Sequence, residues 1–257
     1  MRLTGHALAC LALAGACGST AGGAGDGGDT TADPLAAAVA QPDRPEADRA
    51  RDRDRRPAEV LRFCGIEPGM RVLDLMAGTG YYTEILALAL GPDGLVVSHN
   101  SPFVLDRYAR RPWTARLARL EPLGNVRPLE AAPEEIEVSE PMDAALLIRF
   151  YHDFYWQKVD RAAFNARVFA ALRPGGVFCV LDHHAEPGSG ARDAERLHRI
   201  DARLVRAEIE RAGFVFEASS ELLRRSDDDR TWNIFADGAA RRDRTDRFLF
   251  RFRKPRR

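Results

Sequence analysis

Neither sign of charge dominates this sequence: 38 Lys and Arg residues stand against 38 Asp and Glu, for a formal net charge of zero. No global field therefore argues for nucleic acid or an anionic membrane surface as a partner. The basic run from Arg251 to Arg257 reads as a solvated tail rather than a phosphate-binding patch. Cysteine is scarce too. Of the four cysteines, Cys10 and Cys17 lie near the start, leaving Cys64 and Cys179. With no Cys-x-x-Cys pair there is neither a zinc knuckle nor a dithiol redox motif. Cys179 sits in the apolar run Phe178 to Leu181 and reads as a small core hydrophobe, while sequence gives no distance that would decide a Cys64–Cys179 bridge. What remains is 45% hydrophobic and 30% charged over 257 residues, the composition of one globular domain plus a disposable segment.

That segment is at the start. Arg2 precedes the apolar stretch Ala7 to Ala14, too short for a permanent membrane helix. The stretch ends in Ala14-Gly15-Ala16-Cys17, small residues that suit a signal peptidase. Residues 1–16 are expected to be a signal peptide, with Cys17 resembling a bacterial lipoprotein acylation site. The expected location is the periplasm or cell envelope, with membrane contact only through a lipid on Cys17. Residues 17–43 open with Gly, Ala, Ser, Thr and Asp and read as a flexible tether. The folded domain is expected over 44–257. It begins with a stretch of alternating charge, Asp43 to Arg56, that reads as a solvated helix rather than a binding arm.

From Pro57 onward, strand and helix patterns alternate. Strands are predicted at Met70–Leu75, Leu95–Ser98, Val126–Leu129, Ala144–Ile148 and Val177–Leu181, with helices between them at Tyr81–Leu90, Trp113–Leu120 and Asp160–Leu172. Continuously apolar strands separated by amphipathic helices indicate a parallel sheet covered on both faces. After a helix at Ala202–Ala212, Phe214–Phe216 and Phe248–Phe252 read as closing strands. The second alternates Phe and Arg, which places it at an edge with one wet face. The fold class is α/β, one doubly wound unit.

The most informative stretch is Val72-Leu73-Asp74-Leu75-Met76-Ala77-Gly78-Thr79-Gly80-Tyr81. A glycine-rich turn between a first strand and its helix lets a ligand approach the backbone. Asp74, just before the turn, repels phosphate but can pair with an ammonium group. The arrangement resembles motif I of the Rossmann-like S-adenosylmethionine methyltransferases, with Met76 in place of the usual first glycine. At the end of the second strand, where such enzymes carry an acidic ribose ligand, stand His99 and Asn100.

The likeness extends through Tyr151-His152-Asp153, Leu172-Arg173-Pro174-Gly175-Gly176, Asp182-His183, Leu197-His198-Arg199-Ile200-Asp201 and Thr245-Asp246-Arg247-Phe248. From Pro57 to Pro255 the chain resembles a family of exported proteins predicted to be class I S-adenosylmethionine-dependent methyltransferases. The resemblance implies a mostly parallel seven-stranded Rossmann-like sheet with an antiparallel closing strand and S-adenosyl-L-methionine as cofactor. It implies contacts from Asp74, Met76, Ala77, Gly78, Thr79, Gly80, Tyr81 and Asn100.

Ligands in such sheets bind beyond the carboxyl ends of the strands, and His99, His152, His183 and His184 all fall there. An oxygen or nitrogen acceptor must lose a proton, for which a neutral imidazole suits. His152 is the first candidate base, oriented by Asp153 or Asp182, and His183 the second. Arg199 reads as half of an Arg–carboxylate pair bracing the site wall, and Asp201 as a helix cap. Together with His198 and His184, the same residues contain enough donors for a metal. No HExxH-type spacing supports one, and none is assigned. Three functions follow: an exported methyltransferase acting on a small acceptor, a silent S-adenosylmethionine- or nucleoside-binding lipoprotein, or a metal-dependent enzyme using the histidine cluster.

Overall fold

Alternating side chains on the central strands feed two separate cores, one on each face of a single sheet. On β4 (Met142–Ile148), Ala145 and Leu147 join Leu73, Phe178 and Val180 on one side, while Ala144 and Leu146 join Val72, Val96 and Cys179 on the other. This double burial is why these strands read as uninterrupted apolar runs. The computed structural model describes residues 33–236 and 241–256. The expected leader at 1–16, Cys17 and the tether as far as residue 32 lie outside the described residues.

The helices are α1 (Pro34–Val39), α2 (Glu46–Arg55), α3 (Pro57–Phe63), α4 (Tyr81–Leu90), α5 (Pro102–Val104), α6 (Arg110–Leu120), α7 (Asp153–Trp156), α8 (Arg161–Ala171) and α9 (Ala202–Arg211). The other strands are β1 (Arg71–Leu75), β2 (Leu95–Asn100), β3 (Val126–Glu130), β5 (Leu172–His183), β6 (Val215–Ser220) and β7 (Arg247–Arg253). The sheet order is β3-β2-β1-β4-β5-β7-β6. The first five strands are parallel, and β7 runs antiparallel to both its neighbours. The strand order reverses beside β1, so the crevice above the carboxyl ends of β1 and β4 is the place for a ligand. Among the described residues no helix is long and apolar enough to cross a membrane.

Three expectations are corrected. The strand with alternating Phe and Arg is interior, lying between β5 and β6, and β6 is the edge. The arginines of β7 find protein partners: Arg251 donates to the Phe63 carbonyl and Arg253 to Glu217 and the Gly175 carbonyl. Within the expected tether, residues 34–39 form α1, because Asp33 caps it and Leu35 and Ala38 bury in the core that includes α4. Lastly, Cys179 is more than a core hydrophobe. It is bonded to Cys64, with the two Cα atoms 5.8 Å apart, tying the end of α3 to β5.

Candidate active site

Asp74 arrives at the end of β1, 2% exposed. One of its oxygens accepts a hydrogen bond from Thr83 Oγ1 at 2.6 Å. Behind it the hydroxyls of Thr83 and Ser98 lie 2.9 Å apart, and Trp113 Nε1 donates to Ser98 at 3.0 Å. This relay orients the carboxylate without neutralising it. Among the described residues no cation forms an ion pair with Asp74. Burial raises its carboxyl from the ordinary 3.8 to about 7, against the smaller opposing effect of Thr83.

The turn that follows is held open. Met76, Gly78 and Gly80 all have positive φ, at 50°, 59° and 83°. A Cβ on Gly80 would stand 2.9 Å from Arg116 Cγ, so only glycine fits there without displacing that side chain. A Cβ on Gly78 would meet nothing within 4 Å, because the turn faces open space on the ligand side. Met76 keeps a conformation that favours glycine, and its amide donates to His99 Nδ1 at 3.4 Å.

His99 and Asn100 are buried clamps on this turn. Burial lowers His99 to about 4, so its imidazole is neutral. One nitrogen takes the Met76 amide and the other donates to the Ala131 carbonyl at 3.1 Å. Asn100 accepts from the Gly78 amide at 2.8 Å and donates to the Gly78 carbonyl at 3.1 Å. Its amide group is thus committed to the backbone of the turn. Asn100, expected to contact the cofactor, thereby braces Gly78.

Opposite the turn, β4 and β5 supply the histidine wall. His152 Nδ1 donates to Asp182 Oδ1 at 2.7 Å, and the His152 amide donates to Asp182 Oδ2 at 2.9 Å. His152 Nε2 lies 3.1 Å from Asp153 Oδ1 but off the line of a hydrogen bond, which leaves it buried without a partner. Burial alone would lower the pKa of this imidazole. The charges of Asp153 and Asp182 outweigh that and raise it to about 10. With no ion bound, the two carboxylates thus favour the protonated form of His152.

His183, the second candidate base, has both nitrogens occupied. Arg149 Nε donates to its Nε2 at 3.1 Å, and its Nδ1 lies 2.6 Å from Thr245 Oγ1. Burial and the neighbouring Arg149 hold it neutral. His184 projects elsewhere, edge-on to Phe248. His198 does reach the site: its Nδ1 lies 3.1 Å from Asp153 Oδ1. As expected, Arg199 forms a buried carboxylate pair, with Asp228, and Asp201 caps α9.

The sequence reading missed an arginine group. Asp243 accepts from Arg51, Arg55 and Arg149. Arg51, Arg55, Arg149 and Arg242 all line the cavity beside Asp74. The stretch read as a solvated helix thus presents two arginines to the site. Their spacing of four residues, which puts both on one helix face, is the signal that was available. Tyr81 joins the same wall. Its hydroxyl donates to Asp52 at 2.5 Å, and Arg55 sits 4.2 Å over its ring.

Two cavities meet at Gly78 and Thr79. The polar one, about 240 Å³, is lined by Asp74, Met76, Ala77, Tyr82 and the arginines. The larger, about 550 Å³, is mostly apolar and includes Val104, Tyr108, Phe150, Trp156 and Phe235. Asp153 borders both.

Comparison with known proteins agrees with this geometry. Residues 55–113, which include β1 and the turn, match the family model of protein-L-isoaspartate(D-aspartate) O-methyltransferase. A ubiquinone/menaquinone biosynthesis C-methyltransferase, UbiE, of Ectopseudomonas mendocina is 30% identical over 130 residues, covering 51% of this chain and 48% of that relative. The chain thus spans about half the length of the curated relative. An S-adenosylmethionine-dependent methyltransferase of Aquifex aeolicus superposes with a TM-score of 0.57 at 17% identity, over 80% of this chain and 93% of its own. The Burkholderia thailandensis 1,6-didemethyltoxoflavin-N1-methyltransferase, solved with bound 1,6-didemethyltoxoflavin and S-adenosylhomocysteine, gives a TM-score of 0.50 at 20% identity over 82% of this chain and 79% of its own. Strand order, motif turn and superposition together give this chain the Rossmann-like fold of the class I methyltransferases.

Proposed function

We propose that the protein binds S-adenosylmethionine and transfers its methyl group to a small acceptor. The observation that carries this reading is Asp74, a buried carboxylate with no ion-pair partner among the described residues, beside a backbone bare at Gly78. The ammonium of the donor's amino-acid tail supplies the missing cation, and the arginines of the polar cavity suit its carboxylate. The donor's nucleoside and the acceptor would share the larger apolar cavity. Its aromatic lining favours a flat apolar acceptor, in keeping with the quinone named for the Ectopseudomonas relative. Methyl transfer is an in-line displacement, and the chain's part is to hold both reactants and exclude water.

Titration of the chain with S-adenosylmethionine and with S-adenosylhomocysteine, followed by calorimetry, tests this. Saturable one-to-one binding that is lost in Asp74→Ala is expected. Absence of heat at millimolar ligand overturns the reading.

We also infer export to the cell envelope, supported by the leader pattern of residues 1–16, by Cys17, and by a disulfide that suits an oxidising compartment. Mass spectrometry of the envelope fraction is expected to find a chain beginning at Cys17. A chain that keeps Met1 to Ala16 refutes it.

A further inference from the structure

We propose that His152 Nε2, Asp153 Oδ1 and His198 Nδ1 form the three-ligand face of a divalent metal site of the zinc class. The site lies where the two cavities adjoin. Its existence stands on the geometry of these three residues, while the chemistry assigned to it rests on the methyl-transfer reading.

Among the described residues these three ligand atoms all lie within 4.8 Å of one another. Each imidazole nitrogen is 3.1 Å from the shared carboxylate oxygen. That is close to the edge, roughly 3.3 Å, of a tetrahedron built with metal bonds of about 2.0–2.1 Å. Nε2 of His152 belongs to a side chain only 1% exposed and has no hydrogen-bond partner. An ion in the face would take the place of the Nε2 proton and give that buried nitrogen a partner.

The surroundings orient the ligands as metal sites require. A metal-binding histidine usually gives its second nitrogen to a carboxylate, and His152 gives Nδ1 to Asp182, which is fully buried. Asp182 is itself fixed by the amides of His152 and His183. Trp156 Nε1 donates to Asp153 at 2.7 Å and holds that carboxylate in place. His198 is kept at a φ of 54°, a costly conformation for a side-chain-bearing residue. What fixes it is the next residue: Arg199 is clamped to Asp228 through two hydrogen bonds of 2.8 and 3.1 Å. Trp156 and Phe235 stand edge-on to the His198 ring.

Two imidazoles and one carboxylate suit zinc or a neighbouring transition metal, whereas magnesium and calcium prefer all-oxygen sets. Three protein ligands leave a coordination position for an acceptor carrying an ionisable O–H, N–H or S–H. A bound metal ion promotes loss of that proton to water. The freed lone pair then forms the new bond to the methyl carbon as the carbon–sulfur bond of the donor breaks, leaving S-adenosylhomocysteine.

The test is equilibrium dialysis of the full chain against zinc chloride, with metal content read by mass spectrometry and site geometry by the visible spectrum of the cobalt-substituted protein. One equivalent per chain is expected. Asp153→Asn and His198→Gln should each weaken zinc binding by at least about tenfold, and Asp182→Asn by roughly 10- to 100-fold, the range for outer-shell partners. His184→Gln should keep the equivalent. His198 is partly exposed, so His198→Gln decides the matter if a variant at the buried positions fails to fold. No stoichiometric zinc in the unaltered chain, or zinc binding unchanged in both Asp153→Asn and His198→Gln, overturns the proposal. S-adenosylhomocysteine titrated in parallel separates the two readings, because Asp74→Ala should lose that ligand and keep the zinc.

Discussion

A carboxylate that costs stability when charged, yet lies at the mouth of a ligand turn, is the residue on which the site depends. Asp74 makes two opposite pH dependences. Its carboxyl holds a proton more tightly in the folded chain than in the unfolded one, since burial raises it from 3.8 to about 7. The resulting stability is complete below the unfolded value and is lost as pH rises through about 7. Binding of an ammonium-bearing ligand needs the charged form, so affinity for S-adenosylhomocysteine should climb with pH and level off above about 7. Calorimetric titrations at pH values on both sides of that point, paired with urea melts of the free chain, read both trends. In Asp74→Asn each trend should flatten. Affinity should fall roughly 10- to 100-fold, the loss of a hydrogen bond to a charge worth about 1.5–3 kcal/mol. A flat affinity profile in the unaltered chain would mean that the ligand's cation lies elsewhere.

At the scale of elements, one acid gathers arginines from α2 and from the end of β4. Asp243 is 2% exposed and serves Arg51 and Arg55 from α2 together with Arg149 from the end of β4. Burial pushes the Arg149 guanidinium well below its ordinary value, partly offset by Asp243. Removing that acid leaves Arg149 buried beside other cations, the situation in which breaking a buried pair costs about 3–5 kcal/mol. Asp243→Ala should therefore lower the urea midpoint sharply. The double variant Asp243→Ala with Arg149→Met should recover part of the loss, because it no longer buries a lone charge. If the double variant is no more stable than the single one, the burden lies in α2 and not in Arg149.

At the scale of the whole molecule, what the sequence disclosed depended on how far apart the cooperating residues lie. β1, the turn and α4 form one contiguous segment, so their pattern alone located Asp74 and the glycines. Continuous apolar runs bounded by turn residues, and one Phe/Arg alternation, likewise located all seven strands. Position within the sheet was another matter: β7 looked like an edge because its arginines are polar, but their partners, Phe63 and Glu217, are distant in sequence. The arginine group was illegible for the same reason, since Arg51 and Asp243 are 192 positions apart. For His152 the sequence named Asp153 and Asp182 as alternatives, and only the fold shows that both adjoin it, one from 30 positions away.

The disulfide is the longest-range covalent consequence of the fold, and it acts on the unfolded chain as well as the folded one. Cys64 and Cys179 are 115 positions apart, and the loop they close holds most of the parallel sheet. Closing a loop of that size removes so much freedom from the unfolded chain that loss of a native bridge typically costs about 2–5 kcal/mol. The alternative, a pair of reduced thiols packed in the core, would contribute only their small apolar area. Urea denaturation of the oxidised chain should therefore show a midpoint well above that of the same chain in reductant. The double variant Cys64→Ala, Cys179→Ala should melt with the reduced chain and be indifferent to reductant. Its affinity for S-adenosylhomocysteine should be unchanged, because neither cysteine lines either cavity. Equal midpoints for the oxidised and reduced chains would show that the bridge does not form in solution, and would withdraw the support it lends to export.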